Sequence, residues 1–233
     1  YRIDSHKLIY HPRRVADWLE GKDIYPLYIE IAPFGGCNHR CIFCALDYLG
    51  YKPVYLNTQI LKDFLKDISK AGTKSIMFAG EGEPLLHKDI SELIIYAQDC
   101  GLDVALTTNG VLLSAGMLEK ILPKLSWLRI SLNAGRPQTY SLIHGTDSGD
   151  FDRVIGNIEE AVRIKREKDY NCTIGVQSLL LNENYGEISI LAQILKSIGA
   201  DYLTIKPYSQ HPSSINRLKL ELNYERLMFL ERE

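Results

Sequence analysis

Six short runs of aliphatic and β-branched residues alternate along this chain with stripes of apolar residues at helical spacing. No other feature restricts the fold as strongly. The runs lie at 28–32, 75–79, 103–107, 128–132, 173–177 and 202–206. Between them come stripes such as Ile60, Leu61, Phe64, Leu65 and Ile68, or Val154, Ile155, Ile158 and Val162. A leading helix is expected over 12–20, with Val15, Trp18 and Leu19 on one face. Parallel strands joined by right-handed helical crossovers give either a barrel or an open doubly wound sheet. The 233 residues suffice for one large domain or two small ones, and α/β barrels are a case where a chain this long is a single domain.

In both architectures ligands sit beyond the carboxyl ends of the strands. The chemically distinctive residues fall there. Cys37, Cys41 and Cys44 follow the first strand, Gly80-Glu-Gly-Glu-Pro84 the second, and Thr108-Asn-Gly110 the third. Ser131 and Asn133 end the fourth strand, Gln177 the fifth and Lys206 the sixth. Their convergence predicts one site.

Of the five cysteines, three are packed into eight residues. An odd number clustered in this way argues against a disulfide framework and for a metal in a reducing compartment. Thiolates spaced by three and then two residues can meet on one centre from a single loop. Zinc would want a fourth protein ligand from a second knuckle, and no second close pair exists. A cubane cluster usually takes four cysteines as well, so three leave one iron open to a small molecule. Cys100 and Cys172 precede the third and fifth strands, at the opposite end, and read as small buried hydrophobes.

Composition narrows the partners. The net charge is −2 and no Lys/Arg tract stands out, which argues against broad nucleic-acid binding. No apolar run approaches the roughly 18 residues that a spanning helix needs, and no secretory signal segment is recognisable. The expectation is a cytoplasmic protein without a membrane segment. Residues 224–230 begin an amphipathic stretch, so the chain is expected to be part of a longer protein. The expected organisation is an amino-terminal extension over 1–27, a core over 28–207, and the start of a further extension over 208–233.

The stretch CNHRCIFC resembles the cluster motif of the radical S-adenosylmethionine superfamily, and GEGEPLL resembles that family's Gly-Gly-Glu-Pro signature. With TTNG after the third strand, the resemblance covers about residues 28–207. It implies a partial (βα)6 TIM-like barrel with the active site at the carboxyl ends of the strands. It implies a 4Fe–4S cluster on Cys37, Cys41 and Cys44, S-adenosyl-L-methionine on the open iron, and an electron donor such as flavodoxin or ferredoxin. The chemistry implied is reductive cleavage of S-adenosylmethionine, followed by hydrogen abstraction from substrate.

Carried over position by position, Phe43 matches the aromatic residue beside the adenine. Gly82, Glu83 and Pro84 match the element that receives the methionyl ammonium. Ser131 and Asn133 stand where the family binds ribose and carboxylate, and Asn109 is a further candidate that also fits a plain Asn-Gly turn. Glu81 departs from the double glycine. His39 and Arg40 read as spacers between the ligands. Lys206, Tyr208 and His211, in KPYSQHPSS, are expected to line the entrance for a small polar or peptide substrate. The competing reading is a non-catalytic metal-binding or interaction module that uses the three cysteines structurally.

Overall fold

A computed structural model describes residues 7–219 and 221–224; the amphipathic stretch expected beyond Tyr224 lies outside the described residues. Six parallel strands form one sheet in the order β1 to β6: β1 Tyr28–Ile31, β2 Ser75–Phe78, β3 Asp103–Thr108, β4 Trp127–Ser131, β5 Thr173–Leu180 and β6 Tyr202–Pro207. The helices are α1 Pro12–Leu19, α2 Thr58–Lys70, α3 Ile90–Asp99, α4 Ala115–Ile121, α5 Pro137–His144, α6 Gly149–Glu167 and α7 Ile188–Ile198. The fold is the expected partial barrel.

Register explains the core. Ile31, Phe78, Leu106, Leu128 and Ile174 are successive partners across five strands, and all are buried. This row packs against the helical stripes, where Leu65, Leu93, Leu118, Ile158 and Leu191 are fully buried. Each such side chain contributes about 1.5–3 kcal/mol through burial.

The other face of the sheet is different. Thr107 Oγ1 donates to Met77 Sδ at 3.4 Å, and the Arg129 guanidinium stands 4.9 Å from the Trp127 ring centre. The Tyr202 ring lies where a Cβ on Gly175 would be, at 2.3 Å. Closed barrels fill this space with branched apolar side chains. Here it is partly polar.

Three elements depart from the sequence reading. Helix α5 was not anticipated: it is eight residues long, begins on Pro137, and its amphipathicity is weak. In α2 the buried stripe is Leu61, Leu65 and Ile68, spaced four and three apart, which leaves Ile60 and Phe64 exposed. No residue of α1 is buried, and Trp18 is 62% exposed. Among the described residues no helix is long and apolar enough to cross a membrane.

Candidate metal and cofactor site

The loop after β1 carries Cys37, Cys41 and Cys44, all half-buried and free of disulfides. Backbone contacts hold it to the end of α5. The N–H of Arg40 donates to the His144 carbonyl at 3.0 Å, and that of Ile42 to the Ile143 carbonyl at 2.9 Å. Arg40 also folds back, donating to the Cys37 and His39 carbonyls at 2.7 Å each, with its guanidinium 4.2 Å from the Tyr51 ring centre.

Burial raises the Cys41 thiol well above its usual range, and the neighbouring Cys37 and Cys44 raise it further. Burial likewise pushes Cys37 up to about 11. Cys37 and Cys41, whose ionisation burial opposes, become favourable ligands once a cation binds, because ligation deprotonates them. His39 adds a second sign. Its ring is 1% exposed, and both nitrogens are buried without a hydrogen-bond partner, with Asp150 Oδ2 3.6 Å from Nε2. The donor set therefore fits an iron–sulfur cluster, which offers both cationic iron and hydrogen-bond-accepting sulfide.

The Gly-Glu-Pro element packs directly on the segment leading into the cysteine loop. Gly82 has φ +71°, and a Cβ there would lie 2.1 Å from the Phe34 carbonyl oxygen and 2.5 Å from that of Gly36. Only glycine fits both constraints. The Gly36 carbonyl accepts the Glu83 N–H at 2.8 Å. The Glu83 side chain is buried and accepts from Leu85 N at 3.0 Å, Thr108 Oγ1 at 2.6 Å and Asn109 N at 2.8 Å. A carboxylate has about four lone-pair sites, so acceptor capacity for one more donor remains. Asn109 in turn donates from Nδ2 to Asn38 Oδ1 at 2.7 Å, and its Oδ1 accepts Val111 N–H in a turn.

A cavity of about 180 Å³ opens above the three cysteines and is lined also by Phe43, Gly82, Glu83, Pro84, Asn109 and Ser131. These are the expected cofactor residues, with one exception. Asn133 is 1% exposed and is not part of the lining: its Oδ1 accepts Leu179 N–H at 2.6 Å, and its backbone N–H points at His144 Nε2 at 3.2 Å. A larger cavity of about 570 Å³ lies at the amino ends of the strands, around Tyr28, Met77 and Arg129, and contains none of the cysteines. The three thiols line only the smaller one of these two.

The three expected substrate residues are not gathered at this cavity. Lys206 is exposed at the end of β6, where partial desolvation and then the Arg129 charge pull its ammonium below the usual lysine range. Tyr208 is buried against Ile143 and Leu181, and its hydroxyl donates to Gln210 Oε1 at 2.8 Å. His211 stacks on Tyr48 at 5.3 Å. Beyond it, the N–H groups of Ile215 and Asn216 donate to the Asp47 carboxylate at 2.8 and 2.6 Å. Gln177 lies within β5, with Oε1 buried and unpartnered. Cys100 caps α3 and Cys172 is buried before β5, both remote from the loop.

Sequence reasoning passed over His144 and Asp47. The Ile-His-Gly run was a usable helix-stop signal for the first; nothing local marked the second.

Comparison with known proteins decides the family. The family model for the Radical SAM superfamily matches residues 31–195, well over half of the chain. The chain belongs to the radical SAM superfamily. Radical SAM proteins are enzymes that use a 4Fe–4S cluster and S-adenosylmethionine, and this chain carries that family's domain. A probable GTP 3′,8-cyclase of Methanocaldococcus jannaschii is 31% identical over 183 residues, covering 77% of this chain and 58% of the relative. An AdoMet-dependent heme synthase of Methanosarcina barkeri is 29% identical over 167 residues, covering 71% and 46%. Among solved structures, Streptococcus suis SuiB bound to precursor peptide SuiA superposes with a TM-score of 0.77 at 19% identity, covering all of this chain and 52% of SuiB. The chain thus spans about half the length of the relatives it matches.

Proposed function

We propose that Cys37, Cys41 and Cys44 hold a 4Fe–4S cluster with one iron free for S-adenosyl-L-methionine, and that the protein abstracts hydrogen from a small polar or peptide substrate. The observation that carries this reading is the packing of Gly82 and Glu83 against the cysteine loop. It sets a cavity with a few polar groups, Glu83, Asn109 and Ser131, directly over three free thiols. When bound, the cluster and S-adenosylmethionine supply one-electron cleavage of a carbon–sulfur bond, giving a 5′-deoxyadenosyl radical.

The chain's own residues bind and orient. Gly82 lets the main chain close on the segment that leads into the cysteine loop, and Glu83 offers its remaining acceptor capacity to the methionyl ammonium. Phe43 covers the adenine side, with Pro84, Asn109 and Ser131 completing the wall. Asn133 acts one step back, by fixing the end of β4. The core is the barrel over 28–207, flanked by extensions over 1–27 and 208–233.

The partly polar inner face, with Thr107, Arg129 and Gln177, supports a polar substrate. The names of the relatives, which cover a nucleotide, a haem and a peptide, point to the same breadth. Exposed Lys206 is the candidate substrate contact, whereas Tyr208 and His211 anchor the loop. The electron comes from a donor of the flavodoxin or ferredoxin kind, in the cytoplasm, where free thiols persist.

Anaerobic reconstitution should load about four irons and four sulfides per chain, and a strong reductant should then yield 5′-deoxyadenosine and methionine from S-adenosylmethionine. A single zinc without sulfide would overturn the reading.

A further inference from the structure

His144 is 1% exposed and belongs to none of the motifs that mark the site. It ends α5, and its main chain is joined to the cysteine loop on both sides of Cys41. Arg40 N–H donates to the His144 carbonyl at 3.0 Å, and Ile42 N–H to the Ile143 carbonyl at 2.9 Å. The next residue, Gly145, has φ +58°, and a Cβ there would lie 2.3 Å from the Arg40 carbonyl oxygen. The two backbones therefore touch, and the ring and the thiol are held in a fixed relation.

Hydrogen bonding then selects the tautomer. His144 Nε2 receives the backbone N–H of Asn133 at 3.2 Å, with Asn133 Nδ2 also near at 3.3 Å. A main-chain amide can only donate, so Nε2 must be the bare acceptor and the proton of the neutral ring sits on Nδ1. An imidazolium would set an Nε2–H against that amide. Nδ1 lies 3.5 Å from Cys41 Sγ. The remaining faces of the ring are covered by Tyr140, stacked at 4.2 Å, Phe43, edge-on at 5.7 Å, and His39, at 5.4 Å.

We propose that His144 is a positioning residue that donates an Nδ1–H hydrogen bond to the Cys41 thiolate when that thiolate ligates the cluster. The inference rests on the ligand assignment under Proposed function. Its consequence is electrochemical. A hydrogen bond to a ligand sulfur favours the more negatively charged, reduced cluster, and so raises its reduction potential.

The test uses the anaerobically reconstituted, reduced protein. In the wild type, pulsed EPR should show weak coupling of the cluster spin to a histidine nitrogen that changes with ¹⁵N-histidine labelling. It should also show a proton that exchanges in D₂O. In redox titration, His144→Phe should shift the midpoint to a more negative potential. His144→Asn, whose amide nitrogen falls close to the position of Nδ1, should move it back toward wild type.

A loaded cluster with no histidine nitrogen coupling, or with the same midpoint in His144→Phe, overturns the proposal and leaves the ligand assignment standing. A wild-type protein that binds no iron and sulfide overturns the ligand assignment itself. If His144→Phe fails to fold or load, pulsed EPR on the loaded His39→Phe variant decides, because the histidine coupling left there must come from His144.

Discussion

The Glu83 carboxylate accepts the backbone N–H of Asn109 at 2.8 Å, which ties the loop after β2 to the loop after β3. The same group takes Thr108 Oγ1 and Leu85 N, all away from water. In Glu83→Gln one acceptor becomes an NH₂ facing donors. A buried donor left unsatisfied costs about 1–3 kcal/mol, so the cofactor-free variant should unfold at lower urea and bind S-adenosylmethionine less tightly. Equal urea midpoints would remove Glu83 from the structural account.

Gly82 and Gly116 should respond oppositely to alanine. At Gly82 a methyl meets the Phe34 carbonyl at 2.1 Å and φ is +71°, so Gly82→Ala should distort the cysteine loop and reduce iron content. At Gly116, inside α4, nothing lies within 4 Å. There alanine should stabilise the protein by up to about 0.5 kcal/mol, less than at a helix interior because Gly116 lies in the first turn. Iron analysis and thermal unfolding read the contrast; wild-type iron content in Gly82→Ala would refute it.

Cys37→Ala, Cys41→Ala and Cys44→Ala should each abolish cluster loading, while Cys100→Ala and Cys172→Ala keep it. Loss of iron in Cys172→Ala, a residue buried before β5, would contradict the assigned ligand set.

Burial pushes the Cys172 thiol up to about 12. In the unfolded chain a thiol ionises near about 8.5. The folded pKa is raised, so this contribution is complete below the unfolded value and is lost as pH rises from there toward the folded one. Cofactor-free wild type should lose stability between pH 8 and 10 more steeply than Cys172→Ala, as read by urea midpoints. Parallel slopes would exclude the effect.

Asp47 holds the segment after β6. Burial raises its carboxyl, but the N–H groups of Asn216 and Ile215 and the Ser214 hydroxyl outweigh this and leave it below the usual carboxylate range. The folded pKa is lowered, so the tie is complete above the unfolded value and is lost as pH falls through the folded one. Asp47→Ala should speed hydrogen exchange at the Ile215 and Asn216 amides at neutral pH. Unchanged protection there would show that other contacts hold the segment.

Much of this protein was legible in one dimension. Strand alternation and helical stripes are local, because side-chain direction repeats every two or about 3.6 residues. The position of the strands followed from them, whereas their order did not, since the same alternation fits a barrel or a doubly wound sheet; the thiol spacing is itself a local pattern. What the sequence could not disclose were contacts between residues far apart in the chain. Cys41 and His144 are separated by 103 residues, and Asp47 and Asn216 by 169. No periodicity connects such pairs; they exist because the cysteine loop, α5 and the segment after β6 are packed together over one end of the barrel. For the same reason Asn133 looks like a free ligand at a strand end, yet it is buried, with its amide turned to Leu179 and His144. Residue type and spacing determined which groups reach this end of the barrel; only tertiary packing decided which of them remain free to bind, because hydrogen-bond partners are assigned in space and not along the chain.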